Sequence, residues 1–103
     1  MDKIFKALSD KNRRKILTLL KDNEMSVNEM LKSFEIGQAT LSNHLAILRK
    51  ADLVKNKVMG KQRIYEINNR IFDAFVDELL KFRNVIRANT DSEIVVRGSG
   101  SNC

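Results

Sequence analysis

The chain has 103 residues, of which 43% are hydrophobic and 31% charged, and its formal net charge is +6. This length supports one domain, and the apolar fraction is too high for an intrinsically disordered chain. No apolar run approaches the about 20 residues that cross a bilayer, and the first residues lack the apolar core of a signal peptide, so we expect an intracellular protein without membrane insertion.

Two short helices are predicted at the start of the chain. Within residues 3–8 the apolar side chains recur at helical spacing, which predicts a first helix. Ser9 or Asp10 can cap a second helix, in which a stripe of apolar residues continues to Leu20.

A third and a fourth helix follow, separated by a turn. Ser26 and Glu29 have the spacing of a capping box, in which each side chain accepts a hydrogen bond from the other residue's amide. We expect a tight turn of about three residues that ends at Gly37, which is free to adopt a positive φ angle. A fourth helix, about 21 Å long, is predicted over residues 38–51. Its apolar residues are expected to face inward: Leu41, Leu45 and Leu48.

A β-hairpin is predicted after the fourth helix. Residues 53–58 and 62–67 are rich in β-branched side chains and partly alternate with polar ones, and Gly60 lies between the two segments. The fold class is therefore mainly α with a β-hairpin (α+β). The elements follow in the order helix, helix, helix–turn–helix, hairpin and helix.

One domain is predicted over residues 1–87. Asn68 can cap its last helix, which is expected to run to about Ile86. Residues 88–103 are polar and end in a Gly/Ser-rich segment, so we expect a disordered tail. Its composition is also typical of an artificial extension with an added cysteine.

Two short helices that are followed in the chain by a basic hairpin match a winged helix-turn-helix, an architecture that binds DNA. A recognition helix needs an apolar back and a front of short polar side chains that fit a major groove about 12 Å wide. We predict this front near the start of the fourth helix, formed by Gln38, Thr40, Ser42, Asn43 and His44. For His44, packing between helices is an equal alternative.

The positive charge is concentrated in the centre of the chain. Residues 38–63 carry six basic side chains and one acidic side chain, whereas the net charge is +2 before this segment and −1 after it. A focused positive field attracts the phosphate backbone of a nucleic acid. The predicted phosphate-binding side chains of the hairpin are Lys57, Lys61 and Arg63. The alternative is an ordinary solvated surface.

The last helix carries more large apolar residues than one core-facing stripe requires. Between residues 71 and 86, nine of sixteen positions are large and apolar, whereas a helix with one core to face needs an apolar arc of about 100°. We therefore predict a homodimer through the terminal helices, with a two-fold axis and a palindromic binding site. The predicted dimer residues are Ile4, Phe5, Leu8, Phe72, Phe75, Leu79 and Phe82. The alternative is that this helix packs entirely within its own domain.

Three segments resemble the ArsR/SmtB family of winged-helix repressors, particularly its small members without metal ligands, the SdpR-like autorepressors. They cover residues 5–17, 36–54 and 60–67, and the second is the most specific because it contains a Ser-x-His-Leu core and a closing Leu-Val. The resemblance implies a homodimer that binds an operator and represses transcription until a signal releases it, in the cytoplasm of a bacterium at the nucleoid. It also implies groove-facing positions at Gln38, Ala39, Ser42 and Asn43, and it places Lys57, Lys61 and Arg63 on the wing.

The chain lacks the metal ligands of the metal-sensing members of that family. Those members place cysteines on the third helix, or histidine with Asp and Glu on the last helix. Here residues 24–34 contain no cysteine, and the last helix has Asp73, Asp77 and Glu78 but no histidine. Because carboxylates alone hold a borderline metal weakly, we expect no metal and no cofactor.

Other functions remain as alternatives. The basic face could bind an acidic protein partner, although interfaces favour aromatic and Met anchors over the short polar residues seen here. Enzymatic activity is disfavoured because the chain has one histidine, one cysteine and no Gly-rich phosphate loop. A redox role for Cys103 is disfavoured because no resolving thiol accompanies it. The inducing signal, the operator and the regulated genes are not indicated by the sequence.

Overall fold

The computed structural model describes residues 1–93, with side chains as far as residue 88. The chain separates into two compact units, Met1–Phe72 and a second unit that begins at Asp73. The described elements are α1 (Asp2–Leu8), α2 (Lys11–Leu20), β1 (Met25–Ser26), α3 (Val27–Leu31), α4 (Gln38–Lys50), β2 (Val54–Met59), β3 (Gln62–Ile67) and α5 (Asn69–Glu93). This confirms the predicted mainly α fold with a β-hairpin and adds one short strand.

The core of the first unit holds the back of α4 in place. The three leucines that the pattern assigned to the inner face of α4 are all completely buried. Full burial of one such side chain contributes about 1.5–3 kcal/mol to folding. The large side chains that are buried most completely are Ile16, Met30, Leu41, Leu45, Leu48, Leu53 and Val54.

Side chains cap the N-termini of α2 and α3. Asp10 accepts hydrogen bonds from the amides of Asn12 at 2.7 Å and Arg13 at 3.3 Å. The predicted capping box is present: the Glu29 amide donates to Ser26 Oγ at 3.2 Å, and the Ser26 amide donates to Glu29 Oε1 at 2.9 Å. These contacts satisfy amides that have no partner within the helix.

The turn between α3 and α4 differs from the prediction. It spans residues 32–37, because α3 ends at Leu31 and α4 begins at Gln38. Gly37 has a φ of −74° and a ψ of 165°, so it does not use the positive φ that glycine allows and is instead the extended N-cap of α4. A positive φ occurs instead after α4, at Asp52, where φ is 61°. Aspartate tolerates this left-handed conformation better than most residues.

The sheet has three antiparallel strands in the order β1–β3–β2. The strands β2 and β3 form the predicted hairpin, and Gly60 at its turn has a φ of 65°, which favours glycine. The strand β1 pairs Met25 with Tyr65 and Ser26 with Ile64. This strand was not predicted, because two residues are too short to show a periodic pattern.

The helix α5 is longer than expected. It runs from Asn69 to Glu93, past the predicted domain end at residue 87, and no glycine or proline interrupts this segment. The rest of the predicted tail, with Cys103, lies outside the described residues. No helix in the described part of the chain is long and apolar enough to cross a membrane.

Candidate DNA-binding surface

The two faces of α4 have different chemistry. Its buried residues are Leu41, His44, Leu45 and Leu48. The side chains of its first two turns that reach solvent are Gln38, Ala39, Thr40, Ser42 and Asn43. The front of the helix is therefore short, polar and open, and it is held from behind by the core.

His44 does not belong to this front. Its side chain is only 9% exposed, and its Nδ1 lies 3.2 Å from Nη1 of Arg13. His44 follows Leu41 by three residues and precedes Leu48 by four, so helical geometry directs all three side chains to the same side. The burial of His44 and its contact with Arg13 favour the alternative of packing between helices over the predicted DNA contact.

The wing, defined as β2, β3 and the turn between them, reaches the start of α4. Gln38 lines a cleft of about 210 Å³ together with Lys61 and Arg63 of the wing. The remaining lining residues come from the wing and the start of α3: Ser26, Val27, Asn28 and Gln62. Two predicted phosphate-binding cations and one predicted base-reading residue thus lie on one surface.

Lys57 lies on the other face of the wing. Arg63 pairs with Val58 across the hairpin, whereas Lys57 pairs with Ile64, one residue further along. Because successive side chains of a strand point to opposite faces, Lys57 and Arg63 point to opposite sides of the sheet. Lys57 Nζ also forms an ion pair with Glu24 at 3.1 Å, and Arg63 donates to Asn56 Oδ1 at 3.1 Å. The structure therefore brings together two of the three predicted wing cations.

Three cations near the start of α2 were not recognised as structural residues. Arg13 donates to the carbonyls of Lys6 and Ala7, and Arg14 donates to that of Leu8 at 2.8 Å, so both cap the C-terminus of α1. Lys15 donates to the Ser33 carbonyl, and its Nζ lies 4.7 Å from the centre of the Phe34 ring. Arg13 and Arg14 lie close to the end of α1 in the chain, which was the available signal for their capping role, whereas Lys15 lies 18 residues from Ser33.

The caps also perturb two carboxylates. Burial raises the pKa of Asp10, but hydrogen bonds from the Asn12 and Arg13 amides, together with the charge of Arg13, bring it below the ordinary value. Hydrogen bonds from the Ser26 amide and side chain, with the charge of Lys32, lower the pKa of Glu29 despite its partial desolvation. Both carboxylates are thus held in the charged form that the caps require.

The predicted dimer residues occupy several environments. Ile4, Leu8 and Phe72 are partly buried against the core of the first unit. Phe5 is 50% exposed, Phe75 is buried, and Leu79 is half-buried. Phe82 is 61% exposed, and further exposed apolar residues of α5 are Val76, Leu80, Val85 and Ile86.

Among the described residues, no cluster of three or more His, Cys, Asp or Glu side chains could hold a metal ion.

Comparison with known proteins identifies the family. Residues 10–56 match the model of the arsR family of bacterial regulatory proteins. The chain is 34% identical to the transcriptional repressor SdpR of Bacillus subtilis over 84 aligned residues. This alignment covers 82% of this chain and 93% of the relative.

Two solved structures share the fold. The ArsR family transcriptional regulator RHA00566 superposes with a TM-score of 0.77 at 24% identity, over 84% of this chain and 94% of the other. The homodimeric winged helix-turn-helix DNA-binding domain of Mb0332 from Mycobacterium bovis superposes with a TM-score of 0.64 at 24% identity, over 95% and 86% of the two chains. The chain belongs to the arsR family of bacterial regulatory proteins and is a DNA-binding transcription regulator with a winged helix-turn-helix fold.

Proposed function

We propose that this protein is a repressor that binds a palindromic operator as a homodimer. The observation that carries the proposal is the shared surface of Gln38, Lys61 and Arg63, which joins the open front of α4 to the cationic tip of the wing. The similarity to a protein named as a transcriptional repressor supports the same direction of regulation. Where the operator overlaps a promoter, the bound dimer would exclude RNA polymerase from that promoter and so repress transcription.

The two parts of this surface are assigned different roles. The α4 front enters the major groove, where the Gln38 amide can pair with an adenine edge and Ser42 and Asn43 can reach bases or phosphates. Ala39 and Thr40 complete the groove-facing side, with contacts to a thymine methyl group as the expected mode. Lys61 and Arg63 bind phosphates, which positions α4 but carries no sequence information.

The proposed dimer interface lies on α5. Val76 and Leu80 are separated by four residues, as are Phe82 and Ile86, so each pair forms one row along the helix, and the two rows lie about 120° apart around its axis. All four are at least 44% exposed in one chain. A second copy related by a two-fold axis would cover them and set two α4 helices about 34–36 Å apart, in successive major grooves. A similar fold described as homodimeric supports this arrangement.

The DNA-binding role also determines the proposed cellular location and the proposed lack of enzymatic activity. A DNA-binding repressor of a bacterium acts in the cytoplasm, at the nucleoid. We propose no enzymatic activity, since His44 is engaged with Arg13 behind the DNA-binding surface.

Selection of bound duplexes from a random pool tests the proposal. We expect a palindromic sequence that is bound far more tightly than its scrambled version, with affinity that falls as salt rises. A reporter gene behind that sequence should be silenced when the protein is present. Equal binding to scrambled DNA, or tight binding only to an acidic protein, would contradict the proposal, and increased reporter expression would contradict repression.

A further inference from the structure

Arg13 connects three helices through one side chain. Its Nε donates to the carbonyl of Ala7 at 2.8 Å and its Nη2 to that of Lys6 at 3.1 Å, both at the end of α1. Its Nη1 lies 3.2 Å from Nδ1 of His44 on α4. Since Arg13 itself belongs to the first turn of α2, its guanidinium joins α1 and α2 to the recognition helix.

The chemistry of this contact determines where the proton of His44 lies. A guanidinium has N–H donors and no acceptor, and it stays charged. His44 Nδ1 must therefore accept the hydrogen bond, and this nitrogen carries no proton. The geometry assigns the neutral ring with its proton on Nε2.

A directional contact is needed at this point of α4. The leucines behind the helix pack without strong directional preference, and Gly37 at its N-cap has no side chain that could fix its first turn. A hydrogen bond has a preferred length and angle, so it restricts rotation of α4 about its axis. His44 directly follows Asn43, an exposed residue of the DNA-facing front. Rotation of the helix would therefore displace that front.

We propose that Arg13 and His44 are positioning residues for DNA binding, which hold the recognition helix in its reading orientation without contact to DNA. This inference rests on the proposed function. Arg13 is anchored on α1, so its guanidinium is a fixed reference for α4. The contact was hidden from sequence analysis because Arg13 and His44 are 31 residues apart.

Matched substitutions separate positioning from simple stabilisation. His44→Asn places an amide oxygen near the former Nδ1, whereas His44→Leu removes the acceptor at similar size. Arg13→Ala removes the link to α4, and Arg14→Ala removes another cap of α1 that does not contact His44. Affinity for the selected duplex is measured at a temperature where every variant is fully folded.

We expect at least about tenfold weaker binding for His44→Leu and for Arg13→Ala, since tenfold is the lower end of the usual loss for a hydrogen bond to a charged group. His44→Asn and Arg14→Ala should remain within about threefold of the wild type. The double variant Arg13→Ala/His44→Leu should lose no more than either single variant, because both remove the same contact. Additive losses, or equal losses for Arg13→Ala and Arg14→Ala, would overturn the proposal.

A spectroscopic measurement on the unmodified chain tests the contact itself. His44 is the one histidine in the sequence, so its ¹⁵N signals are assigned without ambiguity. We expect an unprotonated Nδ1 and a protonated Nε2. A proton on Nδ1 would overturn the proposal even if the variants fail to fold, as would equal losses for both His44 variants with unchanged binding by Arg13→Ala. A wild-type chain that binds no duplex contradicts the proposed function instead, whatever the state of His44.

Discussion

The helices α4 and α5 are both amphipathic, yet they leave opposite kinds of side chain in solvent. In α4 the large leucines are completely buried, and the exposed residues near its start are short and polar. In α5 many of the exposed residues are large and apolar, with Phe82 at 61% and Val85 at 56%. The same helical periodicity thus produces two surfaces that suit different partners.

The difference between the exposed faces of α4 and α5 indicates which face has a permanently bound partner. A polar face is stable in water, so it can be exposed between encounters with a transient ligand such as DNA. Clustered apolar side chains are costly to expose, because each Å² of apolar surface in water costs about 25 cal/mol. We therefore assign α4 to the operator and α5 to a second copy of the chain.

The largest expected effect comes from a charge on the exposed apolar rows of α5. Leu80→Glu should convert the dimer to a folded monomer, since a carboxylate would be buried without a partner in the interface. The loss should be at least about 2 kcal/mol in dimer affinity, and operator binding should fall with it. Sedimentation equilibrium at micromolar concentration measures the change.

Ala74→Glu is the matched control, because Ala74 is exposed on α5 and lies away from Val76 and Leu80 around the helix. It should leave the dimer intact. If Leu80→Glu also leaves the dimer intact, the interface does not include these rows of α5.

The next effect concerns the front of α4. Gln38→Ala and Asn43→Ala should each weaken operator binding by about 1–3 kcal/mol and leave binding to random DNA nearly unchanged, because contacts to base edges carry specificity. Fluorescence anisotropy on the two duplexes measures both affinities. Asn23→Ala, at an exposed asparagine before β1, serves as the control. Equal losses on both duplexes would reassign Gln38 and Asn43 from reading bases to holding phosphates.

A smaller effect on DNA affinity is expected from the wing, where Lys61 and Arg63 are compared with Lys57 on the opposite face. Lys61→Ala or Arg63→Ala should reduce the slope of log affinity against log salt by about one for each lost phosphate contact. Lys57→Ala should change the slope less, because Lys57 lies on the opposite face and pairs with Glu24. Titrations between low and moderate salt provide the slopes. A Lys57 effect as large as that of Arg63 would place DNA across both faces of the wing.

The smallest effect is a dependence of stability on acid pH. The pKa values of Asp10 and Glu29 are lowered in the folded chain, so their contribution is complete above the ordinary carboxyl range and is lost as pH falls through the lowered values, below about pH 4. Asp10→Asn should flatten this dependence, since asparagine still caps a helix but does not titrate. Thermal unfolding from pH 7 to pH 2 measures the change, and identical profiles for both proteins would exclude Asp10 as a source.

Local signals in the sequence predicted much of the fold. The capping box at Ser26 and Glu29, the leucine spacing of α4 and the turn at Gly60 each depend on a few neighbouring residues, and each was confirmed. Gly37 was misjudged because glycine serves equally as an N-cap and as a left-handed residue. Only its place relative to α4 distinguishes the two roles.

The candidate surface was predicted less completely, since its details depend on contacts between distant residues. His44 contacts Arg13, which lies 31 residues away in the chain, and the orientation of Lys57 depends on the register of β2 with β3. A shift of one residue in that register would exchange the two faces of the wing. Neither the Arg13 contact nor this register could be derived from residue spacing.

The stoichiometry of the operator complex tests the division between α4 and α5 most directly. The selected palindrome is compared with a duplex of equal length in which one half is scrambled, and sedimentation measures the bound mass and affinity. We predict two chains on the intact palindrome and a marked loss of affinity when one half is removed. One chain per duplex, bound equally tightly to the half-scrambled DNA, would contradict the account.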